Sequence, residues 1–242
     1  MKIMITSLTG GTGKTVLAYN LAKRFAKPLL VDLTENMHLS IIFNVKMFAS
    51  GYHTFQAEYK NLDELVVRND AISFLPRGAH DSIEPKHLKR LMEIEGYDAV
   101  IADVQLLCSQ ILEICPLFDI ILIPMRCDIS VMAENYLIAA VSKVLNEKSS
   151  SSVIVPVILK NRVNDAHSSF AVRMDEKKIK KSYPVCDNIT NAYTVEHDPD
   201  VHNKTWENRM ESRLVEGKYG TTIAAMMKRF VELTQEKEVK KQ

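Results

Sequence analysis

The chain has 242 residues, of which 46% are hydrophobic and 25% charged, with a formal net charge of +1. That length suits one α/β domain spanning residues 1–242, and the balanced charge excludes a wholesale polyelectrolyte partner while leaving local basic patches open. No apolar run approaches a membrane span, no signal-like stretch precedes the first strand, and the four cysteines lack C-x-x-C spacing, so a reduced, cytoplasmic protein is expected.

Lys2 to Ser7 reads as a short apolar strand that feeds directly into Thr9-Gly10-Gly11-Thr12-Gly13-Lys14-Thr15 and then into a helix opening with Val16. Strand, glycine-rich turn and helix start in that order are what a phosphate-binding loop requires. Glycines at 10, 11 and 13 permit positive φ and bring bare amides close to a polyanion, while the helix start adds unpaired N–H groups and the positive end of its dipole. Gly10, Gly11, Thr12, Gly13, Lys14, Thr15 and Val16 are therefore candidate phosphate contacts. Lys14 would reach the β- and γ-phosphates, and Thr15 would ligate Mg²⁺. The general G-x-x-x-x-G-K-[ST] pattern is met imperfectly, because Leu8 stands where its first glycine belongs.

Downstream, Pro28 to Leu33 reads as a buried strand, residues 36 to 70 as short helices and a variable loop, and Ile72 to Pro76 as a further strand. Lys86 to Glu95 has the apolar spacing of an amphipathic helix. Tyr97 to Asp103 and Asp119 to Pro124 read as strands, with a short helix from Ser109 to Cys115 between them. A long helix from Ile129 to Glu147, a loop from Lys148 to Ser152 and a strand from Val153 to Leu159 follow. Phe170 to Lys181 reads as a basic helix and Thr221 to Glu236 as a closing amphipathic one. Alternating strands and helices predict a doubly wound, mainly parallel sheet covered on both faces, with functional groups at the strands' carboxyl ends. Asp32 and Asp103 fall at such ends beside the loop, where acids serving Mg²⁺ and water are needed, although each could instead be a helix cap or a solvated turn.

Together these residues resemble the ParA/MinD family of deviant Walker-A P-loop ATPases. Gly10 to Thr15 match the family loop K-G-G-x-G-K-[ST], and Asn20-Leu21-Ala22 its following N-L-A. Leu29 to Leu33, Tyr97 to Asp103, Ile121 to Pro124 and Val157 to Arg162 are similar to its later strands, in order. The resemblance implies Lys14, Asp32 and Asp103 as catalytic groups, Thr15 and Asp103 as Mg²⁺ ligands and Asn161 as the adenine contact. It also implies ATP-dependent homodimerisation and a ParB-like or other stimulating partner. Two positions depart from the family. Thr9 replaces the loop lysine that reaches a partner's phosphates, for which Lys2, Lys23 and Arg126 are weak substitutes. Thr34 replaces the later aspartate of D-x-D that orients water, for which Glu35 could stand in. Both changes weaken hydrolysis more than binding, so ATP binding with slow or partner-dependent turnover is expected. The competing reading is a nucleotide-binding adaptor of conjugative transfer or pilus and secretion assembly.

Weaker signals carry alternatives. Arg173, Lys177, Lys178, Lys180 and Lys181 could form a non-specific DNA patch or only a solvated helix face. Ile223, Met226 or Met227, Phe230 and Leu233 share one face of the last helix, which either packs on the sheet or, in a MinD-like manner, holds a membrane; Glu232, Glu236 and Glu238 favour packing. His197 to His202 could ligate a metal but read equally as a proline turn, and Cys108 and Cys115 are expected to pack rather than share a metal. Trp206 either anchors its charged segment or contacts a partner.

Overall fold

The computed structural model describes residues 1–45, 51–52, 62–69, 72–77, 83–126, 130–160, 193–196 and 221–232. In chain order these form β1 (Lys2–Thr6), α1 (Lys14–Ala22), β2 (Pro28–Leu33), α2 (His38–Ile42), α3 (Leu62–Leu65), β3 (Val67–Asn69), β4 (Ile72–Leu75), α4 (Pro85–Met92), β5 (Ala99–Val104), α5 (Cys108–Ile114), a 3₁₀ turn (Cys115–Leu117), β6 (Ile120–Arg126), α6 (Ser130–Glu147), β7 (Val153–Lys160) and β8 (Tyr193–Glu196). A last helix, α7, covers residues 221–232.

The strands build one eight-stranded sheet in the order β3-β4-β2-β5-β1-β6-β7-β8. Every pairing is parallel except β3 with β4. The order reverses around β1: the chain winds outward to one side through β2, returns with β5 between β2 and β1, then crosses to β6 and β7. Such a reversal leaves a crevice at the carboxyl edge, because neighbouring crossovers depart to opposite faces there.

Strand alternation explains why both faces are dry. Met4, Val31, Ala102 and Ile121 point to one side, where α4, α5 and α6 supply Leu88, Leu91, Ile111, Leu137 and Val141. Ile3, Ile5, Leu30, Ile101 and Leu122 point to the other, against α1, α2 and α7. All nine residues of α1 are buried, which makes it the central helix of that face.

Two short strands were not legible in the sequence. β3 falls in the stretch expected to hold short helices and a loop, and β8 lies in a segment with no strand expectation. Both are edge strands of three and four residues, too short to display an alternating pattern. The serine segment is also less solvated than expected, since Ser152 is buried and donates its hydroxyl to the Phe118 carbonyl at 2.6 Å.

α7 settles one alternative within its described span. Ile223, Met226 and Phe230 have no exposed surface and belong to the same cluster as α1, so the apolar face is spent on the sheet. Phe230→Ala should therefore cost about 3–5 kcal/mol of stability in urea denaturation, through lost burial and the cavity left behind. Cys115 is buried and Cys108 partly so, as packing residues are. Among the described residues no helix is long and apolar enough to cross a membrane, and no group of three metal-ligating side chains gathers. Leu233, Trp206, the 197–202 segment and the basic 170–181 segment lie outside the described residues.

Candidate phosphate-binding site

The loop between β1 and α1 leaves the sheet at the crevice. Gly11 and Gly13 have φ of 69° and 72°, the left-handed region where a side chain would be strained, and Gly13 opens α1 without a side-chain cap. Gly10 departs from expectation: its φ is not positive, and a β-carbon there would meet nothing within 4 Å. Two of the three glycines thus shape the turn, and Gly10 is not demanded by the fold.

Beneath the loop, register places the two acids side by side. Asp32 pairs with Asp103 across β2 and β5, and Asp103 pairs with Ile5 of β1. Both carboxylates share the face that α1 covers, so Thr15, one residue into the helix, donates its hydroxyl to Asp103 Oδ2 at 2.7 Å. Both acids are completely buried. Burial and the neighbouring Asp32 charge push Asp103 up to about 7, against the Thr15 hydrogen bond and the Lys14 charge. Burial also raises Asp32, which the Thr34 and Ser40 contacts and the Arg77 charge only partly offset. Asp103 Oδ1 and Asp32 Oδ2 accept no hydrogen bond. Two orphaned, buried carboxylate oxygens beside a threonine hydroxyl form a hard, all-oxygen donor set that fits Mg²⁺, and a divalent cation would relieve the repulsion between them.

Lys14 is held inside the loop. Its Nζ donates to Ser7 Oγ at 2.8 Å and to the Thr9 carbonyl at 3.3 Å, and only 6% of the residue is exposed. Desolvation lowers its pKa, while the charges of Asp103 and Glu134 act in the opposite sense. Ser7 in turn shares a 2.8 Å hydrogen bond with Thr12. An ammonium resting on two neutral oxygens is a buried charge without a directly bonded anion, a state that suits contact with a phosphate.

Two of the replacements considered for the missing lysine lie away from the loop of their own chain. Lys2 lies at the amino end of β1, about 16 Å of strand away from the loop. Lys23 follows the far end of α1, with its ammonium 4.6 Å from the Tyr19 ring centroid. The family lysine acts on a partner's phosphates, a reach that these positions within one chain do not decide, and the Arg126 side chain is outside the described residues. Glu35, the stand-in considered for the D-x-D aspartate, does not face Asp32 in this arrangement. It is exposed, whereas Thr34 is buried and donates both its hydroxyl, at 2.7 Å, and its N–H, at 3.0 Å, to Asp32 Oδ1. Asn161 lies outside the described residues.

Sequence reasoning missed Ser7, Arg77 and Glu134. Ser7 carries no motif. Arg77 follows β4 and reaches the Asp32 neighbourhood only because β4 pairs with β2. Glu134 sits 125 residues from Thr9 in sequence, yet meets it in the site.

No protein-family model matches the sequence, and no curated protein does. Solved structures match over nearly the whole chain. A Borrelia burgdorferi protein assigned to plasmid partition, bound to AMPPNP, aligns with 18% identity and a TM-score of 0.70, covering 96% of this chain and 98% of its own. MinD of Pyrococcus horikoshii with Mg-ADP gives 18% identity and 0.65, covering 92% of each chain. A ParA family ATPase of Chlorobium tepidum gives 17% and 0.61, covering 92% of this chain and 95% of its own.

Proposed function

We propose, for a chain that has the fold of the ParA/MinD ATPases, that residues Gly10 to Val16 hold the phosphates of ATP and that Thr15 and Asp103 hold Mg²⁺. The observation that best supports this is the buried cluster of Lys14, Thr15, Asp32 and Asp103, in which the ammonium rests on neutral oxygens and each carboxylate keeps one oxygen without a hydrogen bond. Bound Mg²⁺ supplies charge neutralisation of the phosphate oxygens. The remaining catalysis is positioning: Lys14 holds the β- and γ-phosphates, the amides of the turn orient them, and Asp32 polarises the floor of the site. Asn161 is proposed for adenine.

Hydrolysis should be slow, because the Thr34 hydroxyl is committed to Asp32 and carries no charge with which to orient water. The biological role that suits this chemistry is ParA-like partition or positioning through ATP-dependent dimerisation. Stimulation would come from a ParB-like or other partner, and DNA contact from Arg173, Lys177, Lys178, Lys180 and Lys181. Light scattering with and without ATP and Mg²⁺ tests the switch: the mass should double with nucleotide, and an unchanged mass would remove the dimer cycle. Binding to arbitrary duplex DNA that weakens steeply with salt would support partition. A stable ATP complex with no DNA binding and no measurable turnover would favour the adaptor reading, which Thr9 and Thr34 already favour.

A further inference from the structure

The geometry points to Glu134 as a positioning residue of the phosphate loop: a carboxylate on α6 that latches the loop's start in cis, where the family's mobile loop lysine is absent. This deepens the proposed function and rests on it for the identity of the ligand. Glu134 is completely buried, yet it lies on a helix assigned by its apolar face to the core. It accepts three hydrogen bonds from two consecutive loop residues. The Leu8 N–H reaches Oε2 at 3.0 Å, while the Thr9 N–H and hydroxyl reach Oε1 at 2.9 and 2.7 Å.

A buried carboxylate persists only where its desolvation is offset, and here both oxygens accept hydrogen bonds from the loop. The same two residues frame the ammonium. Lys14 leans on the Thr9 carbonyl, so fixing Thr9 fixes where that carbonyl, and hence Lys14, can stand. Glu134 also counters the burial of Lys14 through its charge. Replacing the lysine by Thr9 has a consequence that a charge count misses. A threonine hydroxyl can donate to Glu134 while the side chain stays within its own subunit, so the loop's start is set by α6 and not by a partner. Glu134 spends both of its carboxylate oxygens on the loop. It acts through Leu8 and Thr9 on the amides and the ammonium that would touch them.

The test reads the latch without nucleotide and then with it. Amide hydrogen exchange on the full chain should show Leu8 and Thr9 protected in the wild type, and at least tenfold faster in Glu134→Ala with native circular dichroism retained. Thr9→Val, which deletes the hydroxyl donor at nearly constant shape, should speed exchange in part, whereas Thr9→Ser should restore wild-type protection. AMPPNP with Mg²⁺ should then bind about tenfold more weakly to Glu134→Ala, and the double variant with Thr9→Val should lose less than the product of the two single losses. Unprotected amides in the wild type, or strictly multiplicative losses, would overturn the latch. Should Glu134→Ala not fold, the Thr9→Val and Thr9→Ser pair decides alone, with equal exchange in both as the refuting result. Protected amides in a wild type that binds no AMPPNP would leave the latch standing and refute the nucleotide reading instead.

Discussion

Replacing Lys14 by alanine should abolish measurable binding of Mg-ATP, a loss of at least a hundredfold, or on the order of 3 kcal/mol, in titration calorimetry. The side chain is already desolvated, so that cost of placing a cation at the proposed phosphate site has been met during folding and not on binding. Its present partners, Ser7 Oγ and the Thr9 carbonyl, are neutral and give up the ammonium readily to a phosphate oxygen. Truncation should leave the fold intact, because the ammonium's bonds lie within the loop and the sheet clusters do not depend on them. Circular dichroism of Lys14→Ala should match the wild type. Retained affinity in a folded variant would mean that the glycine turn is not a phosphate cradle.

Asp103→Asn should give opposite signs in stability and in binding. Folded Asp103 titrates near 7, far above the 3.8 of an ordinary aspartate, so between those values the folded protein holds a proton that the unfolded chain has released. Stability then falls as pH rises through that window, and by pH 8 the destabilisation is fully expressed, on the order of a few kcal/mol. Asparagine cannot ionise, yet its carbonyl can still accept from Thr15 and its amide can face Asp32. The nucleotide-free variant should melt about 5 °C above the wild type at pH 8, with the difference vanishing near pH 4. Its Mg²⁺-dependent gain in ATP affinity should disappear, since the cation loses one of its two proposed ligands. A variant that melts lower at pH 8 would show that the carboxylate pair is not strained in the resting protein.

That strain is why the site is poised. Neither acid would be tolerated beside the other in a dry sheet interior unless something compensated for the pair, and among the described residues Thr15, Thr34, Ser40, Lys14 and Arg77 do so. The proposed function would draw on stability, as is common where binding groups are preorganised.

By itself, the sequence determined the parts of the protein whose signals are local. The run from β1 into Gly13 and Lys14, the apolar strands Pro28–Leu33 and Ala99–Val104, and the acids at their carboxyl ends are all written in consecutive residues, because turn chemistry and strand burial act over a few positions. Only the tertiary structure decided what those residues meet. It placed Asp32 against Asp103 by register, spent the apolar face of α7 on the sheet, tied Thr34 to Asp32, and brought Glu134 onto Thr9 from far along the chain. Pairing register and helix docking are set by contacts between distant segments, whose partners no local pattern names.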